Sequence, residues 1–303
     1  FAIQAEQRVF EWLMPFFGMR GGHMCSGSTL ANLTAIWAAR DGKDVQRVVV
    51  SQAAHLSIQK AARMLRLPIR EVPATRYGQL DTSQLGDVSD ACLVLTAGTT
   101  ATGEVDPLEL IGQARWTHVD AAWGGPLRLS STHANRLAGI EGADSVAVSA
   151  HKLLMQPKDS ALVMFRDPEL ANSAISYGGG YLTTPNIGVQ GSRGAAAVTL
   201  LATLLALGRA GIAERIDRAM EMANQLAENL VAEEAIELLS MPKTGVTVFR
   251  PRHFDTQEIH AKLPSGMFSI CLIDDEYWLR SVAANPLADI DLIVSTIKKT
   301  VCR

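Results

Sequence analysis

Short, nearly continuous apolar runs alternate with segments of helical spacing in the first half of the chain. We predict strands at residues 45–51, 69–72, 91–96, 117–121, 145–149 and 161–165. We predict helices at residues 5–17, from 29 to about 40, at 57–65 and at 107–113. Strands that are apolar on both faces are typical of a mostly parallel sheet covered by helices on both sides. The pattern therefore predicts an α/β fold.

The pattern changes after residue 191. Two long helical runs, at residues 194–207 and 213–234, are followed by short strands at 236–239, 246–249 and 268–273 and by helices at 256–263 and 288–299. The second long run has an apolar face at helical spacing. We place a domain boundary near residue 211. It divides the chain into a large domain, residues 1–211, and a small C-terminal α+β domain, residues 212–303.

Composition and charge narrow the functional classes. The 303 residues carry a net charge of −3 and are 48% hydrophobic, so neither a nucleic-acid surface nor a membrane surface is indicated. No apolar run reaches the roughly 18 residues of a membrane span. The four cysteines lack CxxC spacing, which predicts thiols in a cytoplasmic protein and no metal site. Residue 1 is Phe at the start of a helical run, so we expect the natural chain to begin earlier.

Two chemically distinctive residues lie at the ends of predicted strands. Asp120 ends the strand at 117–121, and Lys152 follows the strand at 145–149. In open α/β sheets, ligands bind beyond the carboxyl ends of the strands. A buried carboxylate keeps a pyridine nitrogen protonated, and a desolvated lysine binds an aldehyde as a Schiff base. Each residue alone has an ordinary explanation, as a turn cap or a surface lysine, but the pair predicts a site for pyridoxal 5'-phosphate (PLP).

Small and hydroxyl-bearing residues suggest a place for the phosphate of that cofactor. Gly27, Ser28 and Thr29 begin a predicted helix, where free backbone N–H groups bind anions. Ser149 and His151 lie beside the candidate lysine and are able to donate hydrogen bonds to a phosphate. The structural alternative for the first group is an ordinary helix cap.

Three more residues fit the pyridine ring. His55 follows the first predicted strand, and its imidazole would stack on one face of the ring opposite the small Ala122. Thr100 lies in the loop after the third predicted strand and would reach the phenolic oxygen. The alternatives are a structural histidine and a polar loop between two elements.

Five segments in a fixed order extend this hypothesis. They are CSGSTLANLTAIWAAR, SQAAHLSIQKAARML, LTAGTTATGEVDP, HVDAAWGG and ADSVAVSAHKLLMQPKDSALVMFRD. With these segments, residues 1 to about 210 resemble the group II PLP-dependent amino-acid decarboxylases, the family of glutamate and aromatic amino-acid decarboxylases. The resemblance implies the type I PLP fold with a seven-stranded, mostly parallel sheet. It also implies a homodimer with the active site at the subunit interface.

The resemblance also implies roles for individual residues. Lys152 is then the Schiff-base lysine, and Asp120 is the partner of the pyridinium nitrogen. His55 and Ala122 enclose the ring. The phosphate is held by Ser28, Thr29, Ser149 and His151.

Some features depart from the family pattern. The family has a further N-terminal helical segment that this sequence lacks, and Leu30 stands where the family has a glutamate. The loop at residues 176–194 is short, and it resembles archaeal tyrosine decarboxylases and also sphingosine-phosphate lyases. Within it, Tyr181 is a candidate proton donor and Ser192 a candidate contact to the neighbouring subunit's phosphate. Arg280 is able to bind a carboxylate, although a structural ion pair is the interpretation we favour.

The sequence thus supports one leading hypothesis and two alternatives. The leading one is a PLP-dependent L-amino-acid α-decarboxylase that releases carbon dioxide and an amine, with Lys152 holding the cofactor and Tyr181 or His55 reprotonating Cα. The first alternative is another PLP-dependent carbon–carbon lyase, which releases an aldehyde. The second is a catalytically silent homologue that acts as a binding subunit. The sequence does not name the amino acid.

Overall fold

A seven-stranded sheet forms the centre of the protein, in a computed structural model that describes residues 1–178, 186–190 and 194–301. Its strands are, in chain order, β1 (Gly21–Cys25), β2 (Arg47–Ser51), β3 (Ile69–Val72), β4 (Ala91–Thr96), β5 (Trp116–Asp120), β6 (Ser145–Ser149) and β7 (Ala161–Phe165). Their order across the sheet is β1-β7-β6-β5-β4-β2-β3. Every neighbouring pair is parallel except the two pairs that include β7. The predicted α/β fold with a mostly parallel sheet is therefore confirmed.

Helices cover both faces of this sheet. The helices of the chain are α1 (Ala2–Leu13), α2 (Ser28–Lys43), α3 (Ser57–Met64), α4 (Pro168–Ile175), α5 (Ala196–Val231), α6 (Thr256–Lys262) and α7 (Ile290–Val301). Successive residues of a strand point to opposite faces. Leu93 and Leu95 of β4 accordingly join a core with α1 and α5, while Cys92 and Val94 join a second core with α2, α3 and α4. Two buried faces explain why the strands are continuously apolar.

A smaller antiparallel sheet follows along the chain. Its strands are β10 (Ile236–Leu238), β11 (Val246–Pro251), β12 (Ser269–Ile273) and β13 (Glu276–Val282), in the order β10-β11-β13-β12, and a separate short pair is formed by β8 (Ser176–Tyr177) and β9 (Asn186–Ile187). Helices α6 and α7 and the second half of α5 pack on this sheet around their own apolar core. The predicted α+β character of this part of the chain is confirmed.

The long helix α5 connects the two sheets. The two helices that we predicted here are present as two segments of α5, which meet at a kink at Gly208, whose φ of 63° and ψ of −175° are not helical. Residue 211, our predicted domain boundary, lies three residues beyond this kink, and the division into two domains stays a prediction. By length and composition α5 is able to cross a membrane, with a window of mean hydropathy 1.8 that is 22% buried. A single such helix is weak evidence, because core helices pass the same test.

The structure differs from our predictions at three other places. Residues 107–113 do not form an α-helix, since only a 3-10 turn at Leu108–Leu110 is present, Ile111 is extended and Gly112 has a φ of 90°. Strand β1 was not predicted, because it begins with two glycines. It lies at the sheet edge and pairs with β7. Strand β13 was not predicted either, since polar residues interrupt its apolar pattern.

Candidate active site

The candidate residues gather at one edge of the large sheet. Strands β2, β4, β5 and β6 are parallel, so the residues that follow them meet at the same edge. Strand β1 runs in the same direction, because β1 and β6 are both antiparallel to β7, and α2 begins three residues after it. This edge corresponds to the carboxyl ends of the strands, where α/β proteins bind their ligands.

Asp120 is the last residue of β5 and is only 4% exposed. Its Oδ1 accepts a hydrogen bond from the backbone N–H of Ala122 at 3.1 Å, and its Oδ2 accepts one from Nδ2 of Asn32 at 2.8 Å. The hydrogen bond from Ala122 is the one expected if Asp120 only caps a turn. The hydrogen bond from Asn32 has no place in that explanation, because it links β5 to α2. A carboxylate has about four acceptor sites, so Asp120 retains the capacity to accept the N–H of a pyridinium ring.

Lys152 lies just beyond β6, in the electrostatic field of that carboxylate. Burial lowers the pKa of the Lys152 ammonium, the nearby Asp120 carboxylate opposes this shift, and the Arg280 guanidinium adds to it. A lowered pKa increases the fraction of neutral amine, which is the form that attacks an aldehyde. The surface-lysine explanation therefore does not describe this residue.

The start of α2 has the properties of an anion site. Gly27 is its N-cap, with a φ of 96°, and no side chain caps the helix. A Cβ placed on Gly27 would meet no atom within 4 Å, so there is open space at this point. The Ser149 hydroxyl donates to Oγ of Ser28 at 3.0 Å, which brings β6 and α2 together here. Thr29 is the next residue of the helix. Uncapped N–H groups and converging hydroxyls fit a phosphate.

Neighbouring contacts hold the loops around this point. Nδ1 of His151 donates to the carbonyl oxygen of Ser160 at 2.9 Å, which fixes the ring beside the candidate lysine. The Gln190 amide makes two hydrogen bonds to Ser26, since its oxygen accepts from the backbone N–H at 3.0 Å and its nitrogen donates to Oγ at 2.8 Å. Gln190 thus ties the loop after β9 to the start of α2, and the sequence patterns did not indicate it.

The remaining candidates are placed as follows. His55 is half-buried in the turn after β2, and its Nδ1 contacts Oγ of Ser57 at 2.9 Å. Thr100 is exposed in the loop after β4. Tyr181 and Ser192 lie outside the described residues.

Sequence reasoning missed a group of buried polar residues behind Asp120. Asn32 of α2 and His118 of β5 are both 0% exposed. Asn32 donates to Ser57 as well as to Asp120, and its Oδ1 lies 3.0 Å from Nε2 of His118. Their signal in the sequence was a polar side chain within an apolar helix and another within an apolar strand.

Arg280 of β13 brings a cation from the small sheet toward this site. It is half-buried, and burial lowers its pKa. Its Nη1 lies 3.3 Å from Oγ of Ser269, while its buried Nε has no hydrogen-bond partner. The ion pair that we favoured from the sequence is not formed with any residue that the structure describes.

The architecture and the chemistry of this edge are those of type I PLP-dependent enzymes, and the residues present fit that cofactor. The sequence profile of the pyridoxal-dependent decarboxylase conserved domain matches residues 4–252. The chain therefore belongs to the pyridoxal-dependent decarboxylase family, and its cofactor is PLP.

Known proteins support this membership. The chain is 31% identical over 276 residues to the aspartate 1-decarboxylase of Aliivibrio fischeri, a match that covers 76% of this chain and 50% of that protein. It is 32% identical over 282 residues to a probable L-tyrosine/L-aspartate decarboxylase of Methanocella arvoryzae, covering 88% of this chain and 72% of that protein. The chain thus spans about half the length of the Aliivibrio relative.

A solved structure agrees in fold. The crystal structure of mouse CSAD superimposes with a TM-score of 0.87 and 25% sequence identity, covering 99% of this chain and 76% of that one. Almost the whole described chain therefore has a counterpart in one known protein.

Proposed function

We propose that the protein is a PLP-dependent L-amino-acid α-decarboxylase, a carboxy-lyase that releases carbon dioxide and an amine. The observation that carries the proposal is the coupling of a desolvated Lys152 to a buried, hydrogen-bonded Asp120 at the ligand-binding edge of the sheet. The family membership and the decarboxylase relatives support this reaction over aldehyde release. The presence of both chemically essential side chains, Asp120 and Lys152, supports an enzyme over the silent homologue.

The chain's own residues have separable tasks. When bound, PLP supplies the electron sink for the electron pair left by the departing carboxylate. Asp120 provides the negative charge that keeps the ring nitrogen protonated. Lys152 would hold the cofactor aldehyde through its side-chain amine. Its lowered pKa increases the fraction of the neutral amine that this attachment needs.

We propose that residues at the start of α2 and at the end of β6 hold the phosphate. Ser28, Thr29 and the N–H groups of α2 are on one side, and Ser149 and His151 are on the other. We propose that His55 and Ala122 enclose the ring and that Thr100 contacts its phenolic oxygen. Tyr181 remains our alternative to His55 as the donor to Cα, and Ser192 our candidate for a contact across the subunit interface.

Arg280 is the proposed site for a carboxylate of the amino-acid substrate. Its cation acts on Lys152, and it has no acidic partner among the described residues. A half-buried guanidinium without a counter-ion is an effective binding group for a carboxylate, since it forms two parallel hydrogen bonds to it. The amino acid itself is not identified by this feature.

We further propose that the protein acts as a cytoplasmic homodimer and binds neither nucleic acid nor membrane. The exposed apolar residues Ile3 of α1 and Leu205 of α5, at 66% and 64% exposure, belong to two helices that pack together. A second copy of the chain would remove such side chains from water. Cys92 and Cys271 are thiols, in keeping with a reducing compartment.

The test is a reaction screen with two readouts. Purified protein loaded with PLP is incubated with L-amino acids that include aspartate, 2,4-diaminobutyrate and tyrosine, and both carbon dioxide and aldehyde are measured. We expect carbon dioxide and an amine in equal amounts. Aldehyde without carbon dioxide would support the lyase, and a protein that binds no PLP would support the silent homologue.

A matched pair of variants locates the reaction. Lys152→Ala is expected to abolish turnover and the covalent attachment of PLP after borohydride reduction, detected by mass spectrometry. Lys158→Ala, in an exposed position of the same loop, should leave both unchanged. Normal turnover by Lys152→Ala would refute the assignment.

A further inference from the structure

A chain of hydrogen bonds joins Asp120 to two histidines through a single amide. The Asn32 side chain contacts Asp120 at 2.8 Å, Ser57 at 2.9 Å and His118 at 3.0 Å. Ser57 continues to Nδ1 of His55 at 2.9 Å. His118 continues to Ser145, whose hydroxyl also contacts the Trp116 indole N–H at 2.8 Å. Six of these seven residues are at most 4% exposed, and the seventh, His55, is half-buried.

The positions of the protons in this network follow from its two ends. A carboxylate only accepts hydrogen bonds, and an indole N–H only donates. Asp120 therefore requires that the Asn32 nitrogen face it, which places the Asn32 oxygen against Nε2 of His118. That Nε2 must carry a proton. At the other end, Ser145 accepts from Trp116 and so has its own hydroxyl proton to donate to Nδ1 of His118.

His118 is accordingly neutral, with its proton on Nε2. Burial lowers the pKa of His118 to about 4, in agreement with a ring whose Nδ1 accepts a hydrogen bond. Each donor and acceptor of this branch has a partner of the required kind, and this fixes the tautomer of the neutral ring.

The other branch ends at the candidate ring-stacking residue. The second N–H of Asn32 donates to Oγ of Ser57, which leaves the Ser57 hydroxyl proton available for Nδ1 of His55. The backbone N–H of Ser57 donates to the same Nδ1 at 3.2 Å. An imidazole nitrogen that accepts two hydrogen bonds carries no proton, so the proton of neutral His55 is on Nε2.

We propose that Asn32 is a positioning residue that couples Asp120 to His55 and sets the proton of His55 on Nε2. His55 then offers the bound cofactor and substrate an N–H donor and not a lone pair. It is suited to hydrogen-bond a carboxylate or deliver a proton, and unsuited to act as a base. The inference rests on the proposed function, in that Asp120 and His55 are taken to contact PLP.

The first experiment reads the protons directly. In protein labelled with nitrogen-15 at histidine, two-bond correlation spectra distinguish protonated from unprotonated ring nitrogens, and the variants His55→Gln and His118→Gln assign the two rings. We expect Nε2 to be protonated and Nδ1 unprotonated in both rings at pH 7.5, with and without PLP. A proton on Nδ1 of His55 would overturn the proposal.

The second experiment measures PLP affinity by titration of the apo protein. Asn32→Leu keeps a similar shape but removes a hydrogen bond to a charged group, so the dissociation constant should rise roughly tenfold or more. Thr34→Val is the control, because Thr34 is equally buried on α2 but bonds only to the backbone of Leu30. It should change the affinity by less than about threefold. Equal affinities of wild type and Asn32→Leu would refute the coupling.

A third variant covers the case in which Asn32→Leu does not fold. Ser57→Ala removes only the hydroxyl link to His55, so PLP affinity should be largely retained, while the nitrogen-15 chemical shift of Nδ1 of His55 should move because this nitrogen keeps only the backbone N–H of residue 57 as a donor. An unchanged His55 spectrum in Ser57→Ala would refute the branch. Failure of the wild type to bind PLP would instead refute the proposed function, so the two failures are distinguishable.

Discussion

The polar residues behind Asp120 and those around Arg250 of the small sheet are held in different ways. Behind Asp120, each side chain is buried and has partners that fix its protons. On the small sheet, Arg250 pairs with Glu237 at 2.9 Å and with Glu276, and stacks on Trp278 with 4.5 Å from guanidinium to ring centroid. These charges remain partly exposed to water.

The difference shows which polar groups define the site. Buried hydrogen bonds are expensive to leave unmade, so a buried network holds one arrangement. Partly exposed ion pairs exchange with water and contribute little. We therefore expect changes near Asp120 to affect function and stability, and equivalent changes near Arg250 to affect neither strongly. The following predictions test this contrast.

The largest effect is expected for the charge of Asp120. Asp120→Asn keeps the shape and an acceptor for Asn32 but removes the negative charge that supports a protonated ring nitrogen. We expect kcat to fall by on the order of a hundredfold or more, measured as carbon dioxide release with the best substrate of the screen. Glu237→Gln makes the same chemical change on the small sheet and should retain wild-type kcat. Equal losses in the two variants would contradict the contrast.

A smaller but clear effect on stability is expected for His118. His118→Leu leaves the oxygen of Asn32 without its donor and the hydroxyl proton of Ser145 without its acceptor, in a fully buried place. We expect the free energy of unfolding to fall by about 2–4 kcal/mol, measured with urea on the apo protein. A decrease in the free energy of unfolding that is too small to measure would show that water or a rearranged side chain provides these hydrogen bonds in place of the ring.

The same residue predicts a pH dependence. The pKa of His118 is about 4 in the folded protein and near 6.5 when exposed, so the unfolded chain binds more protons between these values. Stability should therefore decrease as the pH falls from about 6.5 toward 4. Asp106, whose pKa burial raises to about 6, contributes in the opposite direction. The measurement is the stability difference between wild type and His118→Leu, which should shrink as the pH falls.

The smallest effect is expected for Arg250. Arg250→Gln removes two ion pairs and a stacking contact from the small sheet. We expect the urea midpoint to remain nearly unchanged at high salt and to decrease slightly at low salt, since exposed charges are screened. A large, salt-independent loss would place Arg250 in the same class as the buried network.

Local patterns predicted much of the fold. The strands at residues 91–96, 145–149 and 161–165 have the predicted bounds, because strands buried on both faces are apolar on both faces. The edge strand at residues 69–72 also has its predicted bounds. The patterns failed for β13, where polar residues interrupt the apolar run, and for β1, which begins with two glycines. They also failed at residues 107–113, where Gly112 takes a positive φ.

The sequence predicted the residues that we propose to contact the cofactor, but not the buried polar residues behind them. Asp120 and Lys152 were found because their residue types and positions at strand ends match a known chemistry. Asn32 and His118 lie 86 positions apart in the chain, and neither has a motif that names the other. Only the folded arrangement pairs an amide on a helix with an imidazole on a strand. Arg280 was misjudged for the same reason, since the absence of a counter-ion among the residues that the structure describes is a property of its surroundings.

Arg280 reaches the site from a different sheet than Asp120 and Lys152. In our proposal, the residues that act on the cofactor and the residue that binds the substrate carboxylate are thus encoded in separate stretches of the gene, on either side of the kink at Gly208. Mutations that alter substrate preference can accumulate in the second stretch while the first keeps its electron chemistry intact. The arrangement favours the evolution of new specificities by exchange or drift of the C-terminal part, and offers the same route to a protein engineer.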